Sequence, residues 1–301
     1  MQLHPSLRRP EVAVGYTLPA EHLRPYFSTY SLTEVQAGAG TVFDQVYPEW
    51  GNLRFSTQGD MAACTGPGPL RPSAPICGIG PTSHSTHFSI GPGRFWTVSI
   101  LPLGWARLMA IPAKQLADRW EVLHEASPFV RFAPLLDCVA TEDAADAVNR
   151  IDGFLMTLLG PPAKGEEQIV RVHEALLDPD VTTVAALAER AGLSVRALER
   201  LAGNAFGFGP KMLLRRQRFL RSLTDFMLDP SLGWVGTMDS QYVDQAHFIR
   251  DFRRFMDTTP TAYAAKPHPV LWAAARARQA AAGAPAQLLQ YPLSGAQRAL
   301  R

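Results

Sequence analysis

The stretch from Val184 to Leu201 constrains this chain more than any other. Val184, Leu187, Ala188 and Ala191 fall at the three- and four-residue steps that line one face of a helix. Thr182 or Thr183 stands where that helix begins, and Gly192, free to take positive φ, ends it. Leu193 and Ser194 follow. Ser194 is a good N-cap, and Leu193 reaches across it to Leu198 as a hydrophobic staple. The next helix buries Leu198, Leu201 and Ala202. Ala188 is small enough to let two helices approach closely, and Leu198 and Leu201 seat the second helix against the first. The spacing predicts a helix-turn-helix.

The outward face of the second helix offers Val195, Arg196, Glu199, Arg200 and Gly203. Arginines there reach a guanine edge bidentately or clamp a phosphate. A plain helical hairpin with exposed arginines has the same spacing, so this segment leaves both readings open. The formal net charge of +2 says nothing about nucleic acid; its distribution says more. Arg190, Arg196, Arg200, Lys211, Arg215, Arg216, Arg218 and Arg221 stand against one acid, Glu199. Such a block fits a nucleic-acid surface or a solvated helix face.

Further along, Phe208-Gly209-Pro210 opens a connecting helix, proline suiting a first helical turn. Then come Tyr242-Val243-Asp244-Gln245-Ala246-His247-Phe248-Ile249-Arg250-Asp251-Phe252-Arg253-Arg254-Phe255 and Thr259-Pro260-Thr261-Ala262-Tyr263. Phe248, Phe252 and Phe255 recur at four- and three-residue steps and read as core. The whole of Val184–Tyr263 resembles the DNA-binding domain of the AraC/XylS regulators. Leu187-Ala188, Gly192-Leu193-Ser194, Leu198 and Arg200 match its first half, Arg215, Arg218 and Leu223 its connecting helix, and the Tyr242–Tyr263 run its most diagnostic signature.

That resemblance implies an all-α domain at 166–266, with two helix-turn-helix units joined by a linker helix and bound to double-stranded DNA. The implied contacts are Ser194, Val195, Arg196, Glu199, Arg200 and Arg215 from the first half, and Asp244, Gln245, Ala246, Ile249, Arg250 and Arg253 from the second. Gln245 and Ala246 would lie near bases. Two such helices enter major-groove segments about 34 Å apart, with salt-sensitive binding. The sequence departs from the pattern in places. Gln241 replaces the usual turn glycine, Thr237 a smaller residue, and Gly233 and Gly236 weaken the helix around Trp234. Asp257 replaces the closing glycine but tolerates left-handed geometry, and Ala202 and Gly203 stand where an aromatic and a basic residue are usual.

Upstream, residues 1–110 carry short apolar runs (Thr41–Phe43, Asn52–Phe55, His87–Ile90, Phe95–Leu101) separated by Gly66-Pro67-Gly68-Pro69, Gly78-Ile79-Gly80-Pro81 and Gly91-Pro92-Gly93. This predicts a β-rich sandwich or barrel. Helical spacing takes over at 104–160, with Thr141 as the expected N-cap of a helix through Val148, Ile151, Leu155 and Leu158. Gly160–Gly165 reads as a linker. Residues 23–110 resemble the β-rich N-terminal domain of one bacterial subgroup of these regulators, through Leu23–Tyr26, Pro48–Phe55, Gly80–Ser83 and Leu101–Leu108. The fold class is therefore α+β: a β-rich, cupin-like sensor or dimerisation domain with flanking helices over 1–160, the double helix-turn-helix domain, then a 267–301 tail rich in Ala, Pro and Arg. The tail is expected to be loosely ordered, with Arg276, Arg278, Arg298 and Arg301 solvated or touching phosphates. Trp50, Trp96 and Trp105 are candidates to line an apolar effector pocket, with a core role as the alternative.

Other chemistries find little support. Cys64, Cys77 and Cys138 form no CxxC pair or disulfide framework and fit a reducing compartment; Cys64 and Cys77, in Gly/Pro-rich segments, read as exposed thiols. His84 and His87, three apart on a strand, face opposite sides and are poor joint ligands. No catalytic residue, metal or cofactor is assigned. No run of about 18 apolar residues requires a membrane, and a cytoplasmic location is expected. The partners expected are DNA, a small-molecule effector, RNA polymerase and a second copy of the chain. The competing readings are a cupin-like metal-dependent enzyme and a protein-interaction module with a degenerate helix-turn-helix.

Overall fold

A computed structural model describes residues 11–162 and 165–292. The turn-rich first third forms strands β1 (Val12–Thr17), β2 (Phe27–Val35), β3 (Val42–Val46), β4 (Gly51–Gln58), β5 (Met61–Thr65), β6 (Arg71–Pro72), β7 (Ile76–Ile79), β8 (Thr86–Ile90), β9 (Gly93–Ile100) and β10 (Trp120–Val122). They make two antiparallel sheets, ordered β1-β2-β9-β4-β7-β10 and β3-β8-β5-β6. The apolar runs read from the sequence lie on β3, β4, β8 and β9. In β8 the two-residue period is visible, with Thr86, Phe88 and Ile90 buried and His87 and Ser89 less so. At the β8–β9 turn Gly93 has φ 153°, and a Cβ there would sit 2.2 Å from the Gln58 carbonyl oxygen, so only glycine fits.

Helices α1 (Pro102–Leu108), α2 (Leu135–Cys138) and α3 (Ala144–Leu158) share a core with the six-stranded sheet. Ile151 and Leu155 join Phe27, Tyr30, Leu53 and Val98 there, and the Tyr30 hydroxyl donates to Asp152 at 2.7 Å. The N-cap of α3 is Asp143, not Thr141; its carboxylate accepts from the Ala145 amide at 2.8 Å, while Thr141 Oγ1 accepts from the Asp143 amide.

The remaining helices are α4 (Glu166–Leu177), α5 (Val184–Arg190), α6 (Val195–Leu201), α7 (Pro210–Leu228), α8 (Gly233–Thr237), α9 (Gln245–Met256), α10 (Pro260–Ala264) and α11 (Leu271–Ala282). Their core runs without a break into the β-region through Tyr47, Trp50, Leu101 and Leu103.

The expected loose tail is instead built into the fold as far as residue 292. Asp44 on β3 accepts from the amides of Val270 and Leu271 at 2.9 and 2.8 Å and pairs with His268 at 2.9 Å. Arg278, 2% exposed rather than solvated, donates to Thr29 and Gln290. Gln287 accepts from the Trp50 amide and donates to the Ile100 carbonyl. An alanine-rich helix shows little apolar periodicity of its own, and its partners in the β-region, Thr29 and Asp44, lie more than 200 residues away. The expectations for Arg298 and Arg301 lie outside the described residues.

Candidate nucleic-acid interface

The first helix-turn-helix is built from α5 and α6. Thr183 caps α5 by accepting from the Ala186 amide at 3.1 Å. Gly192 takes φ 67°, which lets the Leu193 amide turn back to the Ala188 carbonyl at 2.9 Å. Ser194 caps α6 through the Ala197 amide at 3.2 Å. Leu187, Leu198 and Ala202 are fully buried. The helix then widens into a π-turn, Ala202–Phe206, which tucks Ala205 and Phe206 inward. Val195, Arg196, Glu199 and Arg200 are exposed, and none of the three charged side chains makes an ion pair among the described residues.

The second unit is α8 and α9. Asp244 caps α9 through the His247 amide at 2.6 Å, and Asp257 ends it in the left-handed region, φ 54°. Phe248, Phe252 and Phe255 are buried around Phe219 of α7, with ring centroids 5.0 to 6.5 Å from it. Gln245, Ala246, Arg250 and Arg253 are exposed and Ile249 is half-buried. As its glycines suggest, α8 is only five residues long. Trp234 compensates by stacking on Phe226 at 3.8 Å and donating to the Pro260 carbonyl.

The basic block divides once it is folded. Asp251, fully buried on α9, accepts from Arg215, from Arg218 at 3.1 Å and from the Tyr242 hydroxyl at 3.0 Å. Arg221 pairs with Asp239 and Arg190 with Asp178. Arg216 is fully buried, stacked 4.2 Å from the Trp50 ring and donating to the Thr82 carbonyl; burial lowers its pKa to about 9. Of the twelve contacts implied by resemblance, Arg215 is therefore held in a structural pair, and the Ser194 and Asp244 side chains are engaged as caps. The pairing acids on α9 and after α8 are distant in sequence, which hid this division.

Thr183, Lys211, Arg215, Arg218 and His247 line a cleft between the two units. Arg215 and Arg218 are engaged there by Asp251, and Arg218 also donates to His247 Nε2 at 3.1 Å. Lys211, outside every ion pair of the described residues, is the cation placed to meet a phosphate oxygen. The sequence placed Lys211 in the basic block but not among the implied contacts, and His247 in neither. The available signal for Lys211 was its place one helical turn before Arg215.

The second unit also docks on the β-region. The Ser85 amide donates to the Phe255 carbonyl at 2.6 Å, His84 pairs with Asp257 at 3.2 Å, and Arg254 reaches both His84 and Ser83. Trp50 fills another seam, between the β-region, α4 and the π-turn after α6, edge-on to His173 and Phe206. Burial lowers the His173 pKa to about 3, keeping the imidazole neutral.

A separate cavity of about 90 Å³ lies between the two sheets, roofed by Val270, Leu271, Ala274 and Arg278. Trp96 lines it. Trp50 and Trp105 do not: the first fills the seam just described, and the second is core against Phe129. Cys77, expected to be exposed, is fully buried on β7, and burial pushes its thiol up to about 11; Cys64 is half-buried. No group of three or more His, Cys, Asp or Glu suited to a metal occurs among the described residues, and no helix among them is long and apolar enough to cross a membrane.

Residues 187–266 match the family described as a helix-turn-helix domain. No curated protein sequence matches the chain. Among solved structures, ToxT from Vibrio cholerae with an unsaturated fatty acid bound is 10% identical, covering 85% of this chain and 96% of that one, TM-score 0.41. A second ToxT structure from Vibrio cholerae is 11% identical over 84% and 95%, TM-score 0.40. The AraC-like transcriptional activator CuxR is 12% identical over 71% and 87%, TM-score 0.25. Residues 187–266 are a helix-turn-helix domain of that family, carried behind a β-rich N-terminal region of two antiparallel sheets.

Proposed function

We propose that the chain is a sequence-specific DNA-binding transcription regulator, working in the cytoplasm. The observation that carries this reading is the matched exposure of two capped helices. α6 presents Arg196 and Arg200, and α9 presents Arg250 and Arg253, all four exposed and outside every ion pair of the described residues. Both units pack against α7, which at 19 residues is about 28 Å long. A helix of that length is a rigid spacer for two reading heads. Buried aromatic residues fix each head, and exposed arginines remain for base edges and phosphates. Lys211 adds a donor for the backbone between the two grooves.

On this reading, the region 1–160 senses a small molecule or joins two copies of the chain, and 166–266 binds the operator and meets RNA polymerase. The cavity between the sheets is where an effector would bind. Selection of bound duplexes from a random pool, using the full chain, tests the proposal. The expected product is a site with two conserved blocks about one helical turn apart. Recovery of no consensus, or unchanged affinity for that site in the Arg196→Ala, Arg200→Ala, Arg250→Ala triple variant, refutes it.

A further inference from the structure

The cavity between the sheets has an unbalanced charge. Its apolar lining includes Phe88, Phe95, Val270 and Leu271. Its ionic lining is Glu49, Arg54 and Arg278, two guanidiniums to one carboxylate. Glu49 is committed to Arg54 in a direct ion pair. Arg278 has only neutral hydrogen-bond partners, the Thr29 hydroxyl and the Gln290 amide oxygen, and its Nε has none. It is 2% exposed. A second lining donor, the indole nitrogen of Trp96, also lacks a partner, in a side chain 3% exposed. Glu49 is thus the one carboxylate shared by the two guanidiniums of the lining, and it is bonded to the other one, Arg54. A guanidinium removed from water with its charge only partly balanced is costly, and an anion brought to it recovers that cost.

From this we infer that the cavity binds a small, mainly aromatic or aliphatic organic anion, with Arg278 of the C-terminal helix α11 as the residue that meets its charged end. The inference rests on the effector-controlled reading above and names the ligand class and the sensing element. The apolar body would lie among Phe88, Phe95 and the roof residues Val270 and Leu271. The roof is also tied to the DNA-binding scaffold, since Trp272 of α11 meets Phe226 of α7 edge-on and Gln217 of α7 donates to the Leu288 carbonyl. The helix that receives the anion is thus the one that braces the spacer between the two reading heads.

Calorimetric titration of the full chain with 3-phenylpropanoate and its neutral isostere 3-phenylpropanamide tests this. The carboxylate should bind at least tenfold more tightly than the amide. Arg278→Gln should bring the carboxylate down to the amide's affinity. Ala274→Trp, which fills the cavity from the roof and leaves Arg278 in place, should abolish binding of both. The inference fails if neither compound binds, if the amide binds as well as the carboxylate, or if Ala274→Trp leaves the carboxylate titration unchanged. The last two outcomes stand even if Arg278→Gln does not fold. Duplex selection on the same preparation separates the two proposals. DNA binding without anion binding overturns only this inference, and anion binding without DNA binding overturns only the regulator reading.

Discussion

The two helix-turn-helix units reach similar outward faces by different means. In the first, each turn of chain carries its own instruction: a threonine cap, a glycine at φ 67°, a serine cap, and small residues where helices cross. In the second, the leading helix is a five-residue fragment, and order comes from elsewhere. Trp234 stacks on Phe226, Asp251 gathers Arg215, Arg218 and Tyr242, and the end of α9 is pinned to Ser83, His84 and Ser85 of the β-region. Local chemistry specifies one reading head and tertiary contacts specify the other. The second should therefore be the more easily repositioned by events in the β-region.

The sharpest way to break this contrast is Asp251→Ala. It leaves two arginines and a tyrosine hydroxyl without their shared acceptor beneath α9, a buried network whose disruption costs about 3–5 kcal/mol. Urea denaturation should show a loss of that size, and footprinting should show the second block unprotected with the first retained. A loss under about 1 kcal/mol, within the range of ordinary surface changes, would mean that the aromatic core alone holds α9.

Next in size is the loss of reading arginines. Arg196→Ala with Arg200→Ala should weaken binding to the selected site by about 3 kcal/mol, with each base or phosphate contact contributing about 1–3 kcal/mol. Arg250→Ala with Arg253→Ala should cost less, because the second head is held less firmly by its own turn. Titrations at several salt concentrations separate the kinds of contact: each phosphate contact removed should lower the log–log salt slope by about 1. Equal losses from the two pairs would erase the proposed difference between the heads.

The same contrast explains what the sequence made legible. Gly192, Ser194 and Leu198 act within a few residues of one another, so their spacing alone carries α5, the turn and α6. The Gly/Pro punctuation likewise marked strands β3, β4, β8 and β9, whose alternation is local. What remained hidden depends on partners far along the chain. Arg215 looks like a phosphate ligand until Asp251 is folded beneath it, and Arg278 looks solvated until Thr29 and Gln290 surround it. Trp50, Trp96 and Trp105 are indistinguishable by composition, yet one fills a seam, one lines the cavity and one is core. Lys211 stood in the basic block without distinction from its neighbours, because the ion pairs that remove Arg215 and Arg218 from it form only in the fold.

Acid should act through the seam between α4 and the β-region. His173 is 2% exposed against Trp50 and Phe206, and its pKa falls from 6.5 to about 3. The folded chain keeps it neutral, while the unfolded chain takes up a proton below pH 6.5. Its contribution to stability is therefore complete above pH 6.5 and declines as pH falls towards 3, by at most about 1.4 kcal/mol per pH unit. Between pH 7 and pH 5 the wild type should lose about 2 kcal/mol relative to His173→Phe. Parallel stability curves over that interval would show that the imidazole takes up its proton in the fold.

The smallest effect discriminates most finely between the two heads. Ser194 and Asp244 are both N-caps, and replacing either by alanine should cost about 1 kcal/mol of stability. Their consequences for DNA should differ. α6 has seven residues and depends on its cap for the direction of Arg196, so Ser194→Ala should weaken DNA binding along with stability. α9 has twelve residues anchored by three buried phenylalanines and Asp251, so its axis should survive Asp244→Ala. That change also removes an exposed carboxylate from a surface read as facing phosphates, which offsets any small loss of alignment. DNA affinity should then be unchanged or slightly higher in Asp244→Ala and lower in Ser194→Ala at equal loss of thermal stability. If both variants lose DNA affinity in step with stability, the caps act alike and the second head depends on its own local structure as much as the first.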